Sequence, residues 1–441
     1  MSETMDKYRD YVITGFVKAV QPIAIERAQG ATVTDSEGRD YIDCFAGIAV
    51  VNAGHCNPEV IEAARAQMER LVHCASYVYH APPVGDLAEK MAQIMPGARL
   101  RKSFFANSGA EAIEGALKVA KLYTGKTEII SLTHSFHGRT LATLSVTGNA
   151  GRKRRGGPYV PGVAFAPAPY AFRANAKVDS AEEYGEQCAR AVEDVLRFHT
   201  SGDVAAFIAE PVLGEGGIIV PPSNYFQAVK RMLDEHGILF IADEVQTGFG
   251  RTGAMFGIEH YGVEPDIVVT AKGIADGFPL GAFTTTDEIA AAFRPGDHLS
   301  TFGGNPVSCA AALANIEFLQ REDLPAKALQ DGEYILKRLR AMQGRFPIIG
   351  EVRGIGLMIG FELVSDGALT PATAQAEAIR AYCLDKGVLV GVGGVYGNVV
   401  RIQPPLVITR EQIDQVLDVL EQALSEVAPE ARAALQTAAS S

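Results

Sequence analysis

Short apolar segments alternate with longer amphipathic segments between about residues 100 and 286 of this chain. The apolar segments are Lys102–Ala106, Glu128–Leu132, Gly162–Phe165, Ala205–Ala209, Ile238–Ala242, Ile267–Ala271 and Gly281–Thr284. Their hydrophobicity is continuous rather than alternating, which indicates strands that are covered on both faces. Helical segments between such strands indicate right-handed βαβ crossovers. The pattern therefore predicts a large α/β domain around a seven-stranded, mainly parallel sheet.

Two further regions flank this predicted sheet. Near the N-terminus, the segment Gly30–Asp43 has the pattern of a β-hairpin with a Ser-Glu-Gly turn. A long helical pattern runs from Val307 to Gln343, and short strands and helices then alternate to about Glu426, which indicates a smaller α+β domain. We predict an N-terminal segment (1–60) that packs with the small domain, a large domain (61–320), a small C-terminal domain (321–428), and an Ala/Ser-rich tail that frays (429–441).

A carboxylate and a lysine stand at the ends of two predicted strands. Asp243 follows Ile238–Ala242, and Lys272 lies 29 residues further on, after Ile267–Ala271. Taken singly, Asp243 is compatible with a helix cap or a structural ion pair, and Lys272 with a solvated turn. Buried opposite charges at neighbouring strand ends favour a ligand between them, because buried charges are costly unless they are paired. Pyridoxal phosphate needs such a lysine for its Schiff base and such an acid at its ring nitrogen.

Two other strand ends carry candidate cofactor contacts. Ser108, Gly109 and Ala110 open a helix after the first strand, where backbone N–H groups and the helix dipole favour a phosphate. A capping serine and a packing glycine are the ordinary alternative. Phe136 and His137 follow the second strand, so an aromatic ring there could stack on a flat heterocycle. A core phenylalanine and a loop histidine are the alternative for that pair.

The joint pattern resembles the class III, or omega-type, aminotransferases of the fold type I pyridoxal-phosphate enzymes. Six motifs carry the resemblance in the family's order: Asn107–Ala112, Phe136–Arg139, Glu210–Gly217, Ala242–Gly253, the segment around Lys272, and Thr301–Pro306. The resemblance extends from about residue 21 to about residue 424. It implies an α/β fold with a large cofactor-binding domain and a smaller α+β C-terminal domain.

The resemblance implies a role for each matching residue on the cofactor side. Lys272 would form the Schiff base with pyridoxal 5'-phosphate and shuttle the proton, Asp243 would keep the ring nitrogen protonated, and Gln246 would lie near the ring's phenolic oxygen. Phe136 would stack on the ring with His137 beside it, and Ser108, Gly109 and Ala110 would cradle the phosphate. Thr301 would reach the phosphate of a neighbouring subunit, which implies a homodimer or a dimer of dimers.

On the substrate side, the resemblance is nearest to the 4-aminobutyrate aminotransferases, through Ile48, Arg139, Glu210, Glu215 and Arg401. An omega-amine has no α-carboxylate, so Glu210 would neutralise Arg401 while it is bound. Arg401 would then bind the α-carboxylate of glutamate or 2-oxoglutarate bidentately, and Arg139 would bind the distal carboxylate. The ordinary alternative for Glu210 and Arg401 is a structural ion pair. The implied function is a ping-pong transamination from an omega-amine such as 4-aminobutyrate to 2-oxoglutarate.

Some features keep other substrates open. Leu213 replaces a polar residue, usually glutamine, that is expected in the Glu-Pro-Val loop. The segment Glu351–Gly360 and the Thr-Phe-Gly-Gly form of the loop at Thr301 resemble the alanine–glyoxylate branch. Broad-specificity amino-acid racemases share the same framework. A racemase must reprotonate the substrate carbon from both faces, and no motif in this sequence indicates whether that occurs. The substrate therefore stays open between these alternatives.

Composition excludes several other classes. The net charge of −12, from 52 acids and 40 bases, argues against a nucleic-acid surface, and the first 30 residues are too few for the DNA-binding module of a pyridoxal-phosphate-sensing regulator. The nine histidines show no HxxxH or HExxH spacing. The six cysteines form no CxxC pair and indicate reduced thiols. No apolar segment suggests a signal core or a membrane span, and we predict a cytoplasmic enzyme without membrane or nucleic-acid partners.

Overall fold

The computed structural model describes residues 3–15, 20–174 and 179–438. In this part of the chain the strands are β1 (Ile25–Gln29), β2 (Thr32–Asp35), β3 (Asp40–Asp43), β4 (Lys102–Ala106), β5 (Glu128–Leu132), β6 (Val163–Ala166), β7 (Val204–Ala209), β8 (Leu239–Asp243), β9 (Ile267–Thr270), β10 (Gly281–Thr285), β11 (Ile349–Ile355), β12 (Met358–Leu363), β13 (Val388–Leu389), β14 (Gly391–Gly393) and β15 (Val399–Ile402). The helices are α1 (Glu3–Tyr11), α2 (Ala46–Ala49), α3 (Pro58–Met68), α4 (Pro82–Ile94), α5 (Gly109–Thr124), α6 (Leu141–Val146), α7 (Ala181–His199), α8 (Tyr225–His236), α9 (Asp287–Ala290), α10 (Pro306–Arg321), α11 (Leu324–Gln343), α12 (Thr373–Asp385) and α13 (Arg410–Ala438).

The predicted seven-stranded sheet is confirmed, with the order β4-β10-β9-β8-β7-β5-β6. Neighbours from β9 to β6 pair in parallel, whereas β10 is antiparallel to both β4 and β9. All residues of β7, β9 and β10 are buried. Coverage on both faces explains why these strands are continuously apolar in sequence. Since β4 runs in the same direction as the five parallel strands, six strands end at one edge of the sheet.

Two smaller sheets lie outside the large one. The predicted hairpin is formed by β2 and β3, which pair antiparallel with Thr32 opposite Ile42. Strand β13, from the C-terminal part of the chain, adds to β3 in parallel, so the N-terminal segment shares a sheet with the region we predicted as the small domain. A second four-stranded sheet has the order β11-β12-β15-β14. The domain boundaries at residues 60, 320 and 428 stay a prediction.

The helical pattern predicted from Val307 to Gln343 is confirmed, and the structure divides it between two helices. Helix α10 ends at Arg321, and α11 begins at Leu324 after Asp323, whose φ of +46° is left-handed. Pro325 explains the break, because proline lacks the N–H that a helix interior requires but fits the first turn of a new helix. Helix α13 runs to Ala438, through most of the segment that we predicted as a tail. Among the described residues, no helix is both long and apolar enough to cross a membrane.

Candidate active site

A cavity of about 350 Å³ lies at the edge of the large sheet where β4, β5, β7, β8 and β9 end. Ten of the predicted site residues line it: Ser108, Gly109, Ala110, Phe136, His137, Glu210, Glu215, Asp243, Gln246 and Lys272. These residues come from separate segments that are distant in sequence, and the parallel strands bring them together because their carboxyl ends share one edge. Four predicted residues, Ile48, Arg139, Thr301 and Arg401, do not line the cavity.

Lys272 projects from a short 3₁₀ turn, Lys272–Ile274, directly after β9. Its φ of +49° lies in the left-handed region, and such strain in a non-glycine residue persists only where surrounding contacts hold it. Asn315 of α10 supplies such contacts, since its Nδ2 donates to the carbonyls of Gly273 at 2.8 Å and Ile274 at 2.9 Å. Burial lowers the pKa of the Lys272 amine to about 8, although the Asp243 and Glu210 carboxylates act in the opposite direction.

Asp243 is buried at the end of β8, and its orientation is fixed from two sides. Its Oδ2 lies 2.6 Å from Nδ1 of the fully buried His137, and its Oδ1 accepts a hydrogen bond from the Val245 N–H at 3.0 Å. The backbone N–H of His137 donates to Thr147 Oγ1 at 3.0 Å, which anchors the imidazole in turn. His137 is therefore a positioning residue for Asp243, a link that the sequence did not reveal.

The N-terminus of α5 forms another wall of the cavity. Ser108 caps this helix by accepting a hydrogen bond from the Glu111 N–H at 3.2 Å, so the capping alternative is also correct. Two glycines allow the close packing here. A Cβ on Gly109 would lie 3.1 Å from the Val245 side chain, and a Cβ on Gly281 would overlap the Ser108 carbonyl. The first-turn N–H groups near Gly109 and Ala110 are available to an anion in the cavity.

Glu210 differs from its predicted role as the partner of Arg401. Its Oε1 accepts a hydrogen bond from the Phe136 N–H at 2.9 Å, and its Oε2 accepts one from the Gly214 N–H at 3.0 Å. Burial raises the pKa of the Glu210 carboxyl to about 7. Among the described residues, no ion pair joins Glu210 to Arg401, because the two carboxyl oxygens are already bound to backbone donors of adjacent loops.

Glu215 is instead the carboxylate that acts on Arg401. Burial lowers the pKa of the Arg401 guanidinium, and Glu215 is the acid that opposes this effect. The Arg401 side chain lies over the Phe45 ring, with Cζ 5.7 Å from the ring centroid. Its Nε and Nη1 are buried and have no hydrogen-bond partner in the described part of the chain. A Cβ on Gly393 would lie 2.8 Å from Nε, so this glycine leaves room for the guanidinium.

The other substrate-side residues lie further out. Ile48 lies within the short helix α2, has a φ of +73° and is exposed. Arg139 is exposed, with its Cζ 5.4 Å from the centroid of the Phe136 ring. Thr301 is exposed in the loop before α10, and this loop contacts the α5 entrance through a hydrogen bond of 3.2 Å from Asn107 Nδ2 to Ser300 Oγ. Roles for these three residues stay predictions.

The structure adds lining residues that sequence reasoning missed. They are Val50, Asn107, Gly138, Val245, Ala271 and the segment from Gly277 to Leu280. Most are apolar or small and give no chemical signal in the sequence. Asn315, which holds the turn after Lys272, did have a signal, because it is a buried amide in the apolar face of α10. Gln246 packs so closely on Gly214 that a Cβ there would overlap its Oε1.

The chain belongs to the class-III aminotransferase family, since the Aminotransferase class-III family model matches residues 16–424. It is 43% identical to the acetylornithine aminotransferase of Methanothermobacter thermautotrophicus, over 96% of this chain and 99% of that protein. It is 38% identical to the 4-aminobutyrate aminotransferase of Mycobacterium bovis, over 95% of this chain and 94% of that protein. The PLP-bound crystal structure of an amine transaminase from an uncultivated Pseudomonas species matches with a TM-score of 0.88 at 35% identity, covering 94% of this chain and 98% of that chain.

These comparisons confirm a pyridoxal-phosphate-dependent aminotransferase with the fold type I architecture. The residues present fit this cofactor. The His137-oriented Asp243 retains lone pairs for a ring N–H donor, the α5 N-terminus offers donors for a phosphate, and the Lys272 amine titrates near neutrality. All three groups line one cavity, together with the Phe136 side chain.

Proposed function

We propose that this aminotransferase moves an amino group from an omega-amine such as 4-aminobutyrate to 2-oxoglutarate, in the two half-reactions of a ping-pong mechanism. The observation that carries the proposal is Arg401, a buried guanidinium whose Nε and Nη1 have no partner within residues 3–15, 20–174 and 179–438 and whose charge acts on the cavity residue Lys272. A buried cation of this kind is costly unless an anion pairs with it. The α-carboxylate of a 2-oxo acid supplies such an anion, and the planar fork of arginine binds it with two parallel hydrogen bonds.

The cavity residues divide the chemistry between them. When bound, pyridoxal phosphate supplies an electron sink for the bond that is broken at the substrate carbon. Lys272 would attach the cofactor and carry the proton, because a pKa of about 8 leaves a useful fraction of its amine neutral near pH 7 to 8. Asp243, held by His137, would keep a proton on the ring nitrogen. The first turn of α5 would bind the phosphate, and Phe136 would cover one ring face.

A donor with an α-carboxylate, such as alanine, is the second candidate. The observation that favours it is that Glu210 bonds to backbone N–H groups rather than to Arg401, so Arg401 is not neutralised by Glu210 in this conformation. An omega-amine would leave the guanidinium without an anion unless Glu215 moved to it. An α-amino acid would instead bind Arg401 in both half-reactions.

We also propose that the active unit contains two copies of the chain. The loop at 72–79 and the loop before α10 are joined by hydrogen bonds from Ser76 Oγ to the Gly304 carbonyl at 2.7 Å and from Asn305 Nδ2 to the Val72 carbonyl at 3.0 Å. Together these loops expose large apolar side chains: Val72, Val78, Tyr79, Leu299 and Phe302. An exposed apolar patch of this kind is typical of a protein interface, and Thr301 lies within it.

The test is to add single amino donors to the purified, cofactor-loaded protein without any keto acid and to follow the visible absorbance. Conversion with 4-aminobutyrate, with release of the corresponding semialdehyde, would support the omega-amine proposal. Conversion with alanine but not with 4-aminobutyrate would keep the family assignment and favour the second candidate. Conversion with neither donor would contradict both substrate assignments. Light scattering on the same sample would report a dimer or exclude it.

A further inference from the structure

The carboxylate of Glu215 is bound by a loop that the family motifs do not include. Glu215 Oε1 accepts hydrogen bonds from Arg152 Nε at 2.9 Å and from Arg152 Nη2, and Oε2 accepts one from Asn149 Nδ2 at 3.0 Å. The arginine thus binds through two N–H groups, and the amide satisfies the second oxygen. These contacts hold a cavity-lining acid in a segment that lies beside Arg401, since the Glu215 carbonyl accepts a hydrogen bond from the Gly394 N–H at 3.2 Å and the adjacent Gly393 packs against the Arg401 guanidinium.

The loop that carries Arg152 is itself well anchored. Residues Ala150–Arg152 form a 3₁₀ turn, and the buried Asn149 caps it by accepting the Gly151 N–H at 3.1 Å. The Asn149 N–H donates to the Ser135 carbonyl at 3.1 Å. Lys153 lies over the Phe165 ring, with its Nζ 4.0 Å from the centroid. Because the turn is fixed at both ends, Arg152 meets Glu215 with little further loss of backbone entropy.

We propose that Arg152, with Asn149, is a specificity-determining positioning residue that holds Glu215 away from Arg401 and so keeps Arg401 open to substrate carboxylates. This inference rests on the proposed carboxylate-binding role of Arg401. Glu215 then has two alternative cationic partners, Arg152 and Arg401. With Arg152 as its partner, the pocket accepts a carboxylate. With Arg401 as its partner, the pocket is neutral and suits the carbon chain of an amine that lacks an α-carboxylate.

Arg152 and Arg401 compete for the Glu215 carboxylate, and this competition gives the direction in which loss of Arg152 should change substrate binding. Loss of Arg152 removes one of the two cations that attract Glu215, so the acid shifts towards Arg401 and competes with substrate carboxylates there. The effect is confined to ligands that carry a carboxylate at that position. A merely structural role of the Arg152 ion pair would instead affect every substrate alike or change only thermal stability.

The test compares Arg152→Met with wild type as cofactor-loaded enzymes. The first measurement is calorimetric binding of glutarate, a dicarboxylate with no amino or oxo group that reacts. The second is steady-state turnover with 2-oxoglutarate as acceptor and butylamine as a carboxylate-free donor. We expect Arg152→Met to weaken glutarate binding and to raise the KM for 2-oxoglutarate about tenfold, which corresponds to about 1.4 kcal/mol. The kcat and the KM for butylamine stay within about twofold of wild type.

Matched variants sharpen the comparison. Arg154→Met removes an exposed cation from the same loop that, among the described residues, forms no ion pair, so it should leave glutarate binding unchanged. Arg152→Lys keeps the positive charge but loses the paired N–H donors of the guanidinium, so we expect a glutarate affinity between those of wild type and Arg152→Met. In a protein that already carries Glu215→Gln, Arg152→Met should cause no further change in glutarate affinity, because the neutral amide does not compete for Arg401.

Each outcome separates this inference from the proposed function. Equal glutarate affinity in wild type and Arg152→Met would overturn the inference and leave the role of Arg401 intact. Loss of turnover with butylamine as well would indicate general damage and would also overturn it. If wild type neither binds glutarate nor accepts 2-oxoglutarate, the proposed carboxylate site itself fails, and the inference fails with it.

Discussion

The two sides of the cavity are held by different kinds of structure. On the cofactor side, Asp243, Lys272 and the start of α5 follow strands of one sheet, and Asp243 is held by His137 from the loop after β5 of the same sheet. On the substrate side, Glu210 and Glu215 lie in the loop after β7, whereas Arg401 lies on β15 of a different sheet. The cofactor side is therefore fixed by the fold, whereas the substrate side depends on which loop partner each charge selects.

The charged side chains on the two sides of the cavity differ in how completely their polar atoms are hydrogen-bonded. Asp243 has both oxygens bound to groups that also anchor the local backbone. Arg401 is buried without a hydrogen-bond partner for Nε and Nη1 among the described residues, while Glu215 is bound by an arginine at the surface. A side chain whose polar atoms all have hydrogen-bond partners is held in one geometry, whereas a side chain with unpaired polar atoms can adopt alternative geometries. We therefore expect the chemistry common to the family to lie on the rigid side and substrate choice to lie on the adjustable side.

The largest expected effect is on the cofactor side. Lys272→Ala should lower turnover by about 10⁴-fold or more in both half-reactions, because it removes the nucleophile and the proton carrier together. The fold should survive, because the contacts from Asn315 to the following turn involve backbone carbonyls that alanine retains. Turnover assays combined with thermal unfolding would measure both expectations. A variant that still transaminates at a tenth of the wild-type rate would contradict the assignment of Lys272.

An intermediate effect is expected from Arg401→Ala on the substrate side. The half-reaction with 2-oxoglutarate should slow about 10²-fold, since a charge-assisted bidentate contact is lost. The half-reaction with an omega-amine should change by less than about tenfold. Rapid-mixing measurements of the two half-reactions would give both values, with Arg401→Lys as a variant that keeps the charge without the fork. Equal losses in the two half-reactions would show that Arg401 supports the fold rather than the acceptor.

The smallest effect concerns the protonation of Lys272. Its pKa is lowered to about 8 from an ordinary value of 10.5, so the folded, cofactor-free protein binds fewer protons than the unfolded chain between these two pH values. Uptake of pyridoxal phosphate by cofactor-free protein should therefore rise with pH and level off above about pH 8. Asp243→Asn should move this midpoint lower, because Asp243 is the strongest influence that raises the Lys272 pKa. If the rate of pyridoxal phosphate uptake still rises steeply at pH 10, the pKa of Lys272 is not lowered in the folded protein.

Local sequence patterns were sufficient for the sheet, whereas the individual residues on the cofactor side were predicted through the resemblance to the family. The predicted segments Lys102–Ala106 and Glu128–Leu132 coincide with β4 and β5, and the other five differ from their strands by a single residue at one or both ends. Strands that are buried on both faces show their burial directly in a continuous apolar sequence. The polar residue that follows such a strand is then placed at the ligand-binding edge by the parallel topology alone.

The sequence by itself determined the α/β class and the family, and it predicted ten of the residues that line the cavity. Only the tertiary structure decided which charges pair on the substrate side. Glu210 bonds to the backbone at Phe136 and Gly214, and Glu215 bonds to Arg152 rather than to Arg401. Sequence spacing cannot determine such pairings, because they depend on how the loops after β5, α6 and β7 pack, and a shift of a few ångströms changes which cation is nearest.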